Sequence, residues 1–248
     1  MIQPRVLVLR APGTNCDEES AFAFERAGAQ AERLHIFRLR EQPELLRNYQ
    51  ILCLPGGFSY GDDLGAGRIL ANQLRMHLAE ELLRFKSAGK LILGICNGFQ
   101  VLLKTPLLLT PDAEGPLATL AFNDCGYYQD RWVRLERQGT DNVFLQGIDK
   151  LYLPVAHAEG KFIARNQAVL EQLVSSGRLV LRYAAGDNPN GSMGDVAGVS
   201  DESGRVLGLM PHPERCIDPT HFPHWTRSLP PEVPDGLRLF QNAVHYFS

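Results

Sequence analysis

No apolar run in this 248-residue chain approaches the ~18 consecutive residues of a membrane-spanning helix, which excludes a helical membrane protein. An excess of one charge is missing too: 25 Lys+Arg stand against 28 Asp+Glu, a formal net charge of −3. That balance excludes a nucleic-acid binder working by bulk positive charge, which needs a strongly basic face. There is no Cys-x-x-Cys, and the five cysteines (Cys16, Cys53, Cys96, Cys125, Cys216) cannot all pair. They read as free thiols rather than a disulfide framework. Met1-Ile2-Gln3-Pro4-Arg5 leads straight into a strand-like segment with no export signal, so the expected location is the cytoplasm. Internal repeats and low-complexity tracts are absent. Hydrophobic residues make up 44% of the chain, enough to fill a core, which excludes disorder.

What is present is an alternation of short apolar runs with helical stretches. Val6–Leu9 is uninterrupted and apolar, as expected of a strand buried on both faces of a parallel sheet. A helix is predicted over Asp17–Ala27, closed by Gly28, and strands over Leu34–Phe37 and Ile51–Leu54. Leu70, Leu74, Leu78, Leu82 and Phe85 recur at helical spacing, which predicts one amphipathic helix ended by Gly89. Leu91–Ile95 reads as a further buried strand with a helix directly behind it. This rhythm predicts an α/β fold, an open and mostly parallel sheet with helices on both faces. Arg131–Glu136 and Leu179–Ala184 read as strands added antiparallel to the same sheet, and Leu237, Phe240, Val244 and Phe247 as a last amphipathic helix. One domain spanning residues 1–248 is the expectation.

Gly94-Ile95-Cys96-Asn97-Gly98 joins a strand to a helix, the Gly-x-nucleophile-x-Gly arrangement in which a sharp turn presents the middle side chain above the sheet. The crowding of that turn demands very small residues on either side, and N–H groups at the helix start favour a thiolate and an oxyanion. A base is offered by Met210-Pro211-His212-Pro213-Glu214. Each residue before a proline is pushed towards extended conformation, where positions two apart point the same way, so Glu214 is expected to orient His212. His157-Ala158-Glu159 has the same spacing without flanking prolines and ranks second as a base, with a substrate-site loop as its alternative role. The loop Pro55–Asp63 fails as a phosphate cradle, since no Gly-Lys-Ser/Thr follows, but Gly56-Gly57 suits an oxyanion donor. Cys216, His221 and His224 match no usual zinc spacing, so no metal is expected.

The turn Pro12-Gly13-Thr14-Asn15-Cys16-Asp17, the segments LPGGFSYGD (54–62), GICNGFQ (94–100), RWV (131–133), HAEGKF (157–162) and Pro211–Glu214 together resemble one family. It is that of the glutaminase subunits of phosphoribosylformylglycinamidine synthase, class I (triad-type) glutamine amidotransferases of purine biosynthesis. The likeness runs from Val6 to Phe247. It implies a flavodoxin-like sheet, with Cys96 as nucleophile, His212 as general base and acid, and Glu214 as the orienting carboxylate. It further implies an oxyanion hole from the backbone N–H groups of Gly57 and Asn97, with Gln100 binding the substrate L-glutamine. Members pass ammonia to a large synthetase subunit, sometimes with a small third subunit. The synthetase uses ATP and Mg to convert formylglycinamide ribonucleotide to formylglycinamidine ribonucleotide, and no cofactor is implied for this chain. Phe58–Gly67 and Cys216–Pro234, carrying Phe58, Tyr60, Arg68, Phe222, Trp225 and Arg227, are the expected synthetase contacts. Cys125–Tyr128 and Pro111–Pro116 depart from the family pattern. Two other readings fit the same elbow: a free-standing cysteine hydrolase or peptidase, and a scaffold that has kept the fold.

Overall fold

The apolar runs become the middle of a nine-stranded sheet. The computed structural model describes residues 3–139, 141–227 and 231–248. In chain order the first part comprises β1 (Arg5–Arg10), α1 (Asp17–Arg26), β2 (Gln30–His35), α2 (Ile36–Glu41), β3 (Ile51–Leu54), α3 (Arg68–His77), α4 (Ala79–Ser87), β4 (Leu91–Ile95) and α5 (Asn97–Leu103). The second part comprises β5 (Ala118–Ala121), β6 (Gln129–Arg137), β7 (Lys150–His157), β8 (Lys161–Ala164), α6 (Gln167–Ser175), β9 (Leu179–Tyr183), β10 (Val196–Ser200), β11 (Val206–Leu209) and α7 (Asp235–His245).

The strand order is β2-β1-β3-β4-β11-β10-β9-β6-β7. From β2 to β11 every neighbour is parallel, and β10, β9, β6 and β7 extend the sheet by antiparallel pairing. Seven of the nine strands therefore point the same way, and the first five follow the doubly wound order 2-1-3-4-5 with β11 as the fifth. β5 and β8 pair separately as a two-stranded sheet. β3 and β4 are buried along their whole length, as strands covered by helices on both faces must be. Phe24 of α1 meets Phe240 of α7 edge to face at 4.8 Å, which ties the last helix to the first.

Three expectations need correction. The second strand is Gln30–His35, and Phe37 lies in α2, whose start is capped by His35 Nδ1 accepting from the Phe37 N–H at 3.3 Å. The stripe Leu70 to Phe85 is buried as expected but belongs to two helices, broken at Leu78 (φ −129°, ψ 6°). The Leu78 N–H still bonds to the Leu74 carbonyl and its own carbonyl accepts from Leu82, so the apolar face continues across the break. The last helix ends at His245, leaving Phe247 in the turn beyond it. Among the described residues no helix is long and apolar enough to cross a membrane.

β1 and β3 carry their connections away on opposite sides, to β2 and to β4 respectively. In such sheets the crevice at the carboxyl ends of these strands is the place for a site. The turn after β1 and the loop after β3 meet there: Cys16 N–H bonds to the Gly56 carbonyl (3.3 Å), and Phe58 N–H to the Gly13 carbonyl (2.9 Å).

Candidate active site

Cys96 sits between β4 and α5 with φ 49° and ψ −104°, a backbone state that side-chain-bearing residues rarely adopt. Holding it costs on the order of 1–3 kcal/mol, which the surrounding packing must supply. That packing explains the two glycines. A methyl at Gly98 would collide with the Leu54 carbonyl of β3, and one at Gly94 would lie 2.7 Å from the Gly98 carbonyl oxygen. α5 is thereby pressed onto β3 and β4, and the Cys96 N–H is fixed to the Leu209 carbonyl at 2.8 Å. The sulfur is buried, its S–H directed at the Ala156 carbonyl 3.7 Å away.

β11 is the neighbour of β4, so its end delivers the segment 210–214 beside the thiol. His212 N–H bonds to the Pro154 carbonyl of β7 at 2.8 Å, and its Nδ1 lies 2.6 Å from Glu214 Oε1. Both side chains are almost wholly buried. The pairing arises differently from the extended geometry expected: Pro213–Arg215 forms a single 3-10 turn, and that turn carries Glu214 back under the imidazole. Burial opposes a charge on His212, but the Glu214 carboxylate and the Cys96 sulfur outweigh it and hold the imidazole well above its ordinary pKa. Cys96 is near enough to exert that pull, yet no aligned hydrogen bond joins it to His212. His212 Nε2 and Glu214 Oε2 are buried without a hydrogen-bond partner among the described residues.

Gly57 has φ 136°, and a methyl there would stand 2.8 Å from the Asn15 nitrogen. Only glycine fits so close to the preceding turn. Neither the Gly57 nor the Asn97 N–H donates to a protein acceptor among the described residues. The Asn97 side chain is fully engaged. Its Oδ1 accepts from Ser59 N–H (3.2 Å), and its Nδ2 donates to Gln100 Oε1 (2.8 Å) and Asp62 Oδ1 (3.2 Å). Gln100, expected to hold substrate, is buried with its Nε2 donating to the Glu159 carbonyl at 2.6 Å. The loop 59–67 is thus pinned to α5, the helix that follows Cys96.

The second His–Glu pair does not form. His157 Nδ1 faces Asn123 Oδ1 at 3.1 Å, while Glu159 Oε2 accepts from Ala66 N–H at 3.4 Å. Burial, reinforced by the charge of nearby His212, drives the His157 pKa down to about 3, so its imidazole is neutral near pH 7. Asn123 also donates to the His157 carbonyl (2.9 Å) and accepts from Gly160 N–H (3.1 Å), making it the organiser of the 157–160 loop.

Cys216, His221 and His224 form no donor cluster among the described residues. The donor atoms that converge are those of Cys16, His212 and Glu214, within 4.8 Å of one another. The Arg215 guanidinium donates to Cys16 Sγ at 3.2 Å, so a positive charge already stands at that cluster. No spacing or motif in the sequence places Cys16 against His212. Its only trace was the turn Pro12–Asp17, which carries it. Of the expected contact residues, Phe58, Arg68, Trp225 and Arg227 are exposed, whereas Phe222 packs on Trp132 (5.7 Å) and Tyr60 packs against the core. Ser228–Pro230 of that second stretch lie outside the described residues.

The chain is 46% identical to the phosphoribosylformylglycinamidine synthase subunit PurQ of Dehalococcoides mccartyi, covering 99% of this chain and 98% of the relative. The subunit of that name from Methanococcus maripaludis strain C7 is 36% identical over 100% and 98%. Among solved structures, a chain of PurLQS from Thermotoga maritima superposes with a TM-score of 0.78 at 32% identity, covering 100% of both chains. Residues 3–247 match the CobB/CobQ-like glutamine amidotransferase domain, and the chain belongs to that family.

Proposed function

We propose that this chain is the glutaminase subunit of a phosphoribosylformylglycinamidine synthase, working in the cytoplasm as a single amidotransferase domain. It hydrolyses L-glutamine and hands ammonia to a large synthetase subunit, with a small third subunit where the assembly includes one. The observation that carries the reading is the strained Cys96 turn set beside the buried His212–Glu214 pair.

The chemistry follows from the positions. His212 Nε2, the ring atom with no other partner, takes the Cys96 proton, and the raised basicity of the imidazole holds it there while Sγ attacks the side-chain amide carbon of glutamine. Glu214 holds the opposite nitrogen, so the imidazole keeps the tautomer in which Nε2 accepts. The amide oxygen becomes an oxyanion between the unspent N–H groups of Gly57 and Asn97. His212 returns the proton to the amide nitrogen, the C–N bond breaks and ammonia leaves a γ-glutamyl thioester. Water, deprotonated by His212, attacks the thioester and releases glutamate and the thiol. Gln100 helps bind the substrate through the Glu159 loop that it fixes. ATP and Mg belong to the synthetase, consistent with the missing Gly-Lys-Ser/Thr after the glycine loop.

The test is Cys96→Ala in the reconstituted complex. Glutamine-dependent synthesis is abolished while synthesis from free ammonia continues. Equal loss of both activities would make Cys96 a structural residue.

A further inference from the structure

We propose that the cleft between α3 and the C-terminal end of α5 is the docking site for an acidic segment of the synthetase. The inference rests on the glutaminase-subunit reading and carries the expected contact stretch ending at Arg68 onward along α3 to Arg75 and across to Lys104. The cleft encloses about 730 Å³ and is lined by Leu64, Arg68, Asn72, Arg75, Lys104 and Pro116 among others, none of them acidic. Arg68, Asn72 and Arg75 recur at spacings of four and three and so share one face of α3.

The two arginines are not paired with the chain's own carboxylates. Arg75 makes no hydrogen bond or ion pair among the described residues, and the Arg68 guanidinium reaches only the Leu64 carbonyl at 3.3 Å. Lys104 Nζ contacts the Gln100 carbonyl at 3.5 Å. Burial lowers the Lys104 pKa against the opposing pull of the nearby Glu159 and Asp62 carboxylates, so Lys104 already has acidic neighbours and the two arginines carry the unmatched charge. The nearest-lying acids of the Pro116 edge are committed elsewhere: Asp112 and Glu114 pair with Arg165 at 2.7 and 3.1 Å. A chain of net charge −3 thus leaves two arginines without acidic partners on one wall of the cleft, and such a surface draws anions.

Shape decides which anion. Arg75 lies seven helical positions beyond Arg68, a rise of about 10 Å, which suits carboxylates strung along a peptide better than one phosphate group. Leu64, 65% exposed, together with Ile69 and Leu103, adds apolar wall that a peptide can use. The cleft also reaches the reaction centre. Gly67 N–H, just before Arg68, donates to Asp62 Oδ1, which accepts from Asn97 Nδ2, while Lys104 caps the helix that Asn97 begins. A segment holding Arg68 and Lys104 therefore grips the elements bearing both proposed oxyanion donors.

The experiment compares the full chain with Arg75→Glu and Arg68→Glu. Affinity for the purified synthetase is measured across a salt series, with glutaminase turnover before and after its addition. Each reversal is expected to weaken binding about tenfold at low salt and to flatten the salt dependence. Alkylation of Cys96 by a glutamine-like electrophile in the free chain, and its melting midpoint, stay at wild-type values. Wild-type affinity and stimulation in both variants would overturn the docking site while leaving the glutaminase reading intact. Stimulation of the free chain by inorganic pyrophosphate or ATP alone, lost in the variants, would overturn the peptide occupant in favour of a small anion. A wild-type chain that the synthetase neither binds nor stimulates would overturn both readings.

Discussion

Glu214→Gln removes a charge and almost no volume, which makes it the sharpest probe of the buried pair. In the wild-type chain the carboxylate accepts from His212 Nδ1 at 2.6 Å, and both groups are shielded from water. A hydrogen bond to a charged group contributes about 1.5–3 kcal/mol, and in the variant it becomes a neutral one. If the new amide turns its NH2 towards Nδ1, the ring proton moves to Nε2, the atom needed to accept from Cys96. Together these effects raise the acylation barrier by roughly 3–5 kcal/mol, a loss of about 10²–10⁴ in rate at 1.36 kcal/mol per decade. The pH behaviour has a definite sign. Glu214 raises the His212 pKa, so the limb of the rate profile that depends on imidazolium moves to lower pH in the variant. Protonated His212 likewise stabilises the wild-type fold below the unfolded value of about 6.5, a contribution lost as pH rises through the raised folded value. The difference in melting midpoint between the two chains is therefore widest below pH ~6.5 and closes above it. Single-turnover glutamate release and melting curves across pH provide both readouts. A variant within threefold of wild type, with an unmoved profile, would refute the role given to Glu214.

Gly98→Ala drives a methyl into the Leu54 carbonyl, so α5 must lift from β3; we expect a loss of about 1–3 kcal/mol in chemical denaturation and slower labelling of Cys96. Unchanged stability would contradict the close packing described at the turn. His157→Asn is expected to leave Cys96 labelling intact, because an imidazole with a pKa of about 3 is too weak a base to take the thiol proton. The same substitution flattens an acid-side slope: wild type loses stability as pH falls from about 6.5 towards about 3, by at most ~1.4 kcal/mol per unit. If the His157 variant is the unlabelled one, the base has been misassigned.

Legibility in the sequence tracked burial on both faces. Ile51–Leu54 and Leu91–Ile95 were bounded to the residue because a doubly covered strand has no polar positions to blur its ends. Gln30–His35 was misplaced because it is the sheet's edge, mostly polar, and the apolar Ile36-Phe37 beside it belongs to a helix. The break at Leu78 was invisible because periodicity reports which face is buried, and that face does not change across it. At the site, Cys96, His212 and Glu214 could be read because glycine and proline mark their backbones. Asn123 and Cys16 could not. Their roles come from contacts with His157 and with Arg215, from segments distant along the chain that only the folded sheet brings beside them.

The insertion of β11 between β4 and β10 sets the order in which the enzyme comes into being. During synthesis the nucleophile's strand emerges early, but its edge stays unpaired until residues 206–209 follow. An exposed apolar edge invites pairing with other chains, so the incomplete polypeptide is the species most prone to aggregate. His212, the proposed base, arrives immediately after that strand joins the sheet. On that proposal, nascent chains and fragments truncated before β11 carry the Cys96 thiol without its proton acceptor, and glutamine is safe from them.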